Sequence, residues 1–245
     1  MKDIHEQIRS VENYLKMLKQ SGVEHVLMPQ ESKATEAASE IAATQEMVPP
    51  QVESANDPKQ ALLDLRETVH NCTKCGELAA SRTQTVFGSG HARARLVFVG
   101  EAPGFDEDLQ GLPFVGKAGQ LLTKMIEAIG MSRKEVFICN VLKCRPPQNR
   151  NPKPDEVKNC APYLWTQLET IQPKLICTLG NFAAQTILGT TQTVTQLRGR
   201  IHEANGFRVI CMFHPAYLLR NPDDKGKAWT DLKEVHRELN AVSHA

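Results

Sequence analysis

Four of the seven cysteines stand where their sulfurs could bind a metal centre. Cys72 and Cys75 form a CxxC pair in "NCTKC". Cys144 follows a predicted strand, and Cys160 lies one turn into a helix that Pro154 begins. Four thiolates are a complete ligand set for a tetrahedral zinc ion or for an iron–sulfur cluster. The spacing alone leaves both centres open, and the CxxC pair disfavours a reading as unliganded cysteines.

The other three cysteines sit inside apolar runs. Cys139, Cys177 and Cys211 are surrounded by Ile, Leu, Phe and Met. Cysteine behaves there as a small apolar side chain, so we expect these three to fill the core.

Four short runs rich in Val and Ile predict the strands that position the site: 94–100, 135–141, 174–180 and 207–213. Helical patterns separate or follow them at 118–129, 155–171, 182–188 and 226–239. This alternation predicts an α/β fold with three layers, in which helices cover both faces of a mainly parallel four-stranded sheet. The site should then lie beyond the carboxyl ends of the strands, at "GEAPG", "NVLKC", "LGN" and "HPAYLLR".

The chain divides near residue 58. Apolar residues at helical spacing predict an amphipathic helix within residues 1–27, which either packs on the body or docks onto a partner protein. Residues 28–57 lack Phe, Trp and Tyr and are predicted to be a flexible linker. Residues 58–245 form the predicted catalytic domain.

Charge and hydropathy narrow the function classes. No apolar run approaches the ~20 residues that span a bilayer, and the N-terminus lacks the apolar centre of a signal peptide. We therefore expect a cytoplasmic protein. Residues 58–245 carry 24 basic and 18 acidic side chains, which modestly favours a polyanionic partner, although a soluble basic domain would have the same composition.

Several motifs in order give the chain a specific resemblance. They are "CTKC", "VFGSG", "GEAPGFDED", "GLPFVGKAGQLL", "NVLKCRPPQNRNPKPDE", "LRGRIH" and "HPAYLLR", between Cys72 and Trp229. This stretch resembles the family 4 uracil-DNA glycosylases, the iron–sulfur branch of the uracil-DNA glycosylase superfamily. The resemblance implies base excision repair, in which the enzyme flips uracil out of DNA, hydrolyses its glycosidic bond and leaves an abasic site. It also implies a [4Fe–4S] cluster on Cys72, Cys75, Cys144 and Cys160.

The resemblance assigns roles within the base pocket. Glu101 and His214 are the expected catalytic residues, Glu101 near the sugar and His214 as a donor to uracil O2. Phe114 is expected to stack on the base beside Gly100, and Asn140 to read its O4 and N3–H. Considered alone, Phe114 would more simply be a core side chain and Asn140 a strand-end cap.

Further positions are expected to contact DNA. Arg145 and Arg150 lie in the loop between Cys144 and Cys160 and suit phosphates, as does Arg220. Leu218 or Leu219 would fill the gap left by the flipped base. His202 of "RGRIH" is not expected to be a nucleophile, because a related branch carries its covalent histidine in a different loop.

Two other function classes stay open at this point. One is a non-catalytic module that binds uracil-DNA or nucleic acid and carries an iron–sulfur cluster. The other is an iron–sulfur electron carrier, which would need none of the base-handling motifs. The expected assembly is a monomer bound to single- or double-stranded DNA, with a possible protein partner for the N-terminal helix.

Overall fold

The computed structural model describes residues 57–241. The predicted N-terminal helix and most of the predicted linker lie outside the described residues. Those residues form an α/β fold around one six-stranded sheet.

The strands are β1 (Ser89–Gly90), β2 (Leu96–Gly100), β3 (Phe137–Asn140), β4 (Leu175–Leu179), β5 (Ile201–Ala204) and β6 (Phe207–Met212). The helices are α1 (Pro58–His70), α2 (Gly76–Ser81), α3 (Phe105–Gln110), α4 (Lys117–Ala128), α5 (Pro154–Ile171), α6 (Asn181–Leu188), α7 (Val194–Leu197), α8 (Pro215–Arg220) and α9 (Lys225–Asn240). Short 3₁₀ turns cover Pro147–Asn149 and Pro222–Asp224.

The four predicted strands form the parallel centre of the sheet. The spatial order is β1-β3-β2-β4-β6-β5, and the β3-β2-β4-β6 pairs are all parallel. Strands β2, β3 and β4 are buried along their whole length, as expected where helices cover both faces. The predicted α/β class and its parallel core are confirmed.

Two edge strands extend the sheet beyond the four that the sequence predicted. The two-residue β1 pairs antiparallel with β3, and the half-exposed β5 forms a hairpin with β6 through a turn at Asn205 and Gly206. Both lack the apolar runs that mark buried strands, because an edge strand is covered less completely.

The four long predicted helices appear as α4, α5, α6 and α9, with ends within one residue of the predicted ones. Cys139, Cys177 and Cys211 are fully buried in β3, β4 and β6, which confirms their role as core side chains. Among the helices of residues 57–241, none is both long and apolar enough to cross a bilayer.

Candidate active site

One cavity of about 440 Å³ opens where the parallel strands end. Glu101 follows β2, Asn140 closes β3 and His214 follows β6, and all three line this cavity with Phe114. The register pairs Gly100 with Asn140, so the ends of β2 and β3 stand side by side. The structure thus brings together the four residues that the sequence analysis placed in the base pocket.

Asn140 presents an unusual polar group to this cavity. The residue is 1% exposed, and its Oδ1 has no hydrogen-bond partner among the described residues. A buried acceptor without a partner costs roughly 1–3 kcal/mol, so it calls for a functional explanation. The side chain therefore does not act as a strand-end cap; it offers an acceptor to whatever occupies the cavity.

Gly100 leaves the space that Asn140 and Phe114 occupy. A Cβ added at Gly100 would lie 2.3 Å from Asn140 Oδ1 and 2.6 Å from Phe114 Cζ. Both contacts are far below van der Waals distance, and both atoms belong to the proposed base-reading groups. Only glycine at this position allows the two side chains to meet the end of β2.

Phe114 is held in a backbone conformation that non-glycine residues rarely adopt. Its φ is 53°, and its main-chain oxygen accepts a hydrogen bond from Arg133 Nη1 at 3.1 Å. Arg133 Nη2 also donates to Pro113 O at 2.7 Å. A Cβ at Gly119 would lie only 1.8 Å from Phe114 O, so the turn also packs against α4. Such over-determined strain is typical of functional positions, where it fixes the direction of a side chain.

His214 is a neutral imidazole oriented by the helix that follows it. Burial, with a smaller contribution from the nearby charge of Arg220, lowers the pKa of His214 to about 4. Its Nδ1 accepts a hydrogen bond from Ala216 N at 3.1 Å as the N-cap of α8. The neutral ring therefore carries its proton on Nε2. Its centroid lies 5.6 Å from that of Phe114, so the Nε2–H donor and the Phe114 ring serve the same cavity.

Glu101 adds a carboxyl group to the cavity. Its main-chain oxygen accepts from Leu142 N at 3.0 Å, which anchors the start of the "GEAPG" turn to the end of β3. Burial raises the pKa of the Glu101 carboxyl above 4.5. A partly desolvated carboxylate interacts more strongly with a nearby positive charge than one in water does.

Glu107 is a site residue that sequence reasoning missed. Its Oε1 accepts from Val115 N at 2.9 Å and Gly116 N at 3.0 Å, and its Oε2 accepts from Gly104 N at 3.1 Å. The carboxylate thus ties the "GEAPG" turn to the "PFVG" turn that carries Phe114. The sequence did contain one indication of this role: Glu107 stands three positions after Gly104, as an acidic residue often does at the N-terminus of a helix.

The loop between Cys144 and Cys160 only partly matches the prediction that its cations contact phosphates. Arg150 lines the cavity but forms ion pairs with Glu156 at 2.6 Å and Glu77 at 3.0 Å, and Lys153 also pairs with Glu77. These carboxylates compensate much of the charge of Arg150 and Lys153, and the expected contact between Arg150 and DNA stays a prediction. The acidic partners were not recognised because one of them, Glu77, lies far away in sequence.

Arg145 remains the available cation of that loop. Its Nε donates to Asn149 Oδ1 at 2.8 Å, and its guanidinium lies 4.9 Å from the centroid of the exposed Phe105 ring. Arg145 forms no ion pair with a carboxylate within residues 57–241.

The "HPAYLLR" segment forms α8, and its two leucines face opposite ways. Leu218 is 1% exposed and packs in the core, whereas Leu219 is 43% exposed. The prediction that either leucine could enter DNA therefore holds for Leu219 alone. For Leu218 it was wrong, because Leu218 is a core residue. Arg220 is exposed and lines the cavity, so its guanidinium lies at the rim.

The four cysteines singled out by spacing line a second, small cavity. Cys72 precedes α2, Cys75 is its N-cap residue, Cys144 follows β3 and Cys160 lies in α5. The four cysteines come from three segments that are up to 88 positions apart in sequence. Within residues 57–241, no group of three or more His, Cys, Asp or Glu is arranged to hold a single metal ion.

Three of the four sulfurs have a hydrogen-bond donor. Arg82 Nη1 donates to Cys144 Sγ at 3.0 Å, and the main-chain N of Lys143 donates to Cys160 Sγ at 3.3 Å. Asn159 Nδ2 lies 3.6 Å from Cys75 Sγ. Tyr163 lines the same cavity as Cys72. Donors to the sulfurs of Cys75, Cys144 and Cys160 are the kind of surroundings that ligating thiolates need.

Comparison with known proteins agrees with this geometry. Residues 87–233 match the family model described as "Uracil DNA glycosylase superfamily". The chain is 44% identical over 184 residues to a type-4 uracil-DNA glycosylase of Archaeoglobus fulgidus, covering 72% of this chain and 92% of the relative. It is 47% identical over 157 residues to a type-4 enzyme of Thermotoga maritima, covering 63% and 81%. A type-5 uracil-DNA glycosylase of Pyrobaculum aerophilum is 31% identical over 181 residues, covering 60% and 79%. The chain therefore belongs to the uracil DNA glycosylase superfamily and, within it, to the type-4 enzymes.

Proposed function

We propose that this chain excises uracil from DNA by binding the flipped base in the cavity between Phe114, Asn140 and His214. The chain is a uracil-DNA glycosylase, a hydrolase of DNA repair, as its family membership supports. The observation that carries the assignment to this cavity is the buried, unpartnered Oδ1 of Asn140.

The pocket groups match the edge of uracil. Asn140 Oδ1 accepts from uracil N3–H, and its amide nitrogen donates to O4. Cytosine presents a donor and an acceptor in the reverse order at these positions, so it would leave buried polar groups unpaired. Phe114 stacks on the face of the base.

Cleavage separates charge, and two residues stabilise the separated charges. As the bond between C1′ and N1 breaks, the sugar becomes cationic and uracil leaves as an anion with negative charge on O2. His214 donates its Nε2–H to O2, and it does so as a neutral ring, because burial keeps its pKa near 4. The Glu101 carboxylate offsets the cationic sugar and orients the water that attacks C1′, which leaves an abasic site. The water proton passes to solvent or to the leaving base.

DNA is held by cations around the cavity mouth. Arg145 and Arg220 bind phosphates, while Arg150 chiefly braces its own loop through Glu77 and Glu156. Leu219 enters the space that the flipped nucleotide leaves in the duplex. The protein acts as a monomer in the cytoplasm, at the nucleoid in a prokaryote.

The division of the chain is a further part of the proposal. Residues 1–27 are the segment proposed to bind a protein partner, residues 28–57 connect it to the rest of the chain, and residues 58–245 are the catalytic domain. All cavity residues lie beyond Cys72, so deletion of residues 1–57 should preserve uracil release from oligonucleotides. Loss of release in a folded truncated protein would show that the extension completes the site.

Cys72, Cys75, Cys144 and Cys160 hold a [4Fe–4S] cluster in this proposal. The cluster supplies a rigid covalent tie between the "CTKC" segment, the end of β3 and α5. Hydrogen-bond donors to the sulfurs of Cys144, Cys160 and Cys75 support the ligand role of these cysteines.

Measurement of base release distinguishes an active glycosylase from a non-catalytic binding module. Oligonucleotides that carry uracil, hypoxanthine, cytosine or a mismatched thymine at one position, in single and double strands, are incubated with the protein and cleaved by alkali at abasic sites. We expect rapid release of uracil and no release of cytosine. Tight binding of uracil-DNA without release would instead identify a non-catalytic module.

Metal analysis distinguishes an iron–sulfur cluster from a zinc ion at the four cysteines. We expect about four irons and four sulfides per chain and broad visible absorbance, all lost in Cys144→Ala. Cys139→Ala is the matched control, because Cys139 is a buried core side chain in β3, the strand that precedes Cys144, and the variant should keep its iron. A colourless, zinc-loaded protein with full activity would exclude the cluster.

A further inference from the structure

Lys143 is a buried lysine that the glycosylase reaction leaves unexplained. It is 1% exposed, although lysine is rarely buried without a carboxylate partner. Within residues 57–241 it forms no ion pair with Asp or Glu. Its position therefore calls for a specific use of the ammonium group.

Every polar group of Lys143 has a defined partner. Its Nζ donates to the main-chain oxygen of Asn140 at 2.8 Å and to Gln167 Oε1 at 2.6 Å. Its main-chain oxygen accepts from Val86 N at 2.7 Å, and its main-chain N donates to Cys160 Sγ at 3.3 Å. Gln167 is itself fully buried and fixed by a bond from its Nε2 to Phe87 O at 2.9 Å. The lysine is therefore held at four points.

These contacts connect the two sites of the molecule. One end of Lys143 fixes the peptide group of Asn140, and its main chain contacts one proposed cluster ligand, Cys160, and precedes another, Cys144. Asn140 Oδ1 lies close to the backbone of Gly100, since a Cβ added there would be 2.3 Å from it, and the direction of this side chain depends on the peptide group that Lys143 holds. A small rotation of the Asn140 peptide would therefore turn the side chain away from the base.

We propose that Lys143 is a positioning residue that couples the four-cysteine site to the uracil-reading side chain of Asn140. This inference rests on the proposed roles of Asn140 and of the cysteines. It implies that an ordered cysteine site favours uracil binding and, by thermodynamic reciprocity, that bound uracil stabilises the cysteine site.

The test uses Lys143→Met, which keeps an unbranched side chain one atom shorter and removes its donor. Free uracil affinity, single-turnover uracil release, affinity for undamaged DNA and the rate of iron loss to a chelator are measured on iron-loaded protein. We expect uracil affinity and release to fall about tenfold or more, as for a lost buried hydrogen bond that orients a ligand group, with undamaged DNA bound as before. Free uracil should slow iron loss in the wild-type protein and have little effect in Lys143→Met.

Lys174→Met is the matched control. Lys174 Nζ also donates to main-chain oxygens, those of Leu239 at 3.2 Å and Ala241 at 2.6 Å, but it contacts neither site. This variant should behave as wild type in all four measurements. Gln167→Met is the second variant. It leaves Lys143 in place but removes the Gln167 Oε1 acceptor of its Nζ, so we expect uracil affinity to fall less than it does in Lys143→Met.

Wild-type uracil affinity in an iron-loaded Lys143→Met protein would overturn the inference, as would equal protection of iron by uracil in both proteins. If Lys143→Met does not fold, unchanged uracil affinity and unchanged iron protection in Gln167→Met would overturn it. Failure of the wild-type protein to release uracil would instead refute the proposed function.

Discussion

Replacing Asn140 with alanine should change activity and stability in different directions. In the proposed function Asn140 forms two hydrogen bonds with uracil, whereas its Oδ1 accepts none from the residues that the structure describes. Loss of a positioned group that acts on the reacting base typically costs ~2–4 kcal/mol, so single-turnover uracil release should fall ~30- to ~1,000-fold. Loss of an unsatisfied buried oxygen removes a cost of about 1–3 kcal/mol, which offsets the packing lost with the side chain. The free energy of unfolding should therefore stay constant or rise.

The assay pairs single-turnover base release with denaturant unfolding of the same iron-loaded preparations. Gln185→Ala is the control, because the amide of Gln185 donates to Thr191 O and Gln192 O and lies outside the cavity. Loss of this amide in Gln185→Ala should lower the free energy of unfolding by about 1 kcal/mol and leave uracil release unchanged. If Asn140→Ala lost stability as Gln185→Ala does and kept its activity, Asn140 would be a structural residue and our reading of the cavity would be wrong.

Three further predictions concern the residues around Asn140. Burial raises the pKa of the Glu101 carboxyl, so uracil release should fall with decreasing pH along an acidic limb, and Glu101→Gln should remove that limb. An acidic limb that persists in Glu101→Gln would exclude Glu101 as its source. The pKa of His214 is lowered from 6.5 to about 4, so the unfolded state binds the proton more tightly than the folded state does. The free energy of unfolding should therefore be unaffected by His214 above pH 6.5 and should decrease as the pH falls from 6.5 towards 4. If His214→Asn showed the same pH dependence of the unfolding free energy as the wild type, this prediction would be wrong. Leu219→Ala should reduce uracil release from duplex DNA more than from single-stranded DNA. Leu218→Ala should instead lower the free energy of unfolding by ~2–5 kcal/mol. A loss of stability in Leu219→Ala together with a duplex-specific loss of uracil release in Leu218→Ala would show that the two roles are exchanged.

The parallel core was predictable because buried strands and covering helices leave strong local patterns. Runs such as "ARLVFVG" are apolar on both faces, and the long helices carry an apolar stripe. The edge strands β1 and β5 were missed because they are short and half-exposed. Helices α3 and α8 were missed because each has only six residues, which is too short for a 3.6-residue period to show.

The residues of the candidate site were predictable only through strand ends and motifs. Asn140 and His214 could be placed because strand termini in a parallel sheet converge. The role of Glu107 depends on three backbone donors in two separate turns, and that of Lys143 on a side chain buried between two sites. The compensation of Arg150 by Glu77 is likewise a contact across 73 positions. Such long-range contacts leave no local signal in a single sequence.

The central claim is that this cavity reads uracil through Asn140 and His214. The most direct test is a high-resolution crystal structure of the iron-loaded protein with free uracil. The account predicts the base stacked on Phe114, with N3 at ~2.7–3.2 Å from Asn140 Oδ1 and O2 at a similar distance from His214 Nε2. Uracil bound in another cavity, or bound here with Asn140 Oδ1 still unpartnered, would contradict the account.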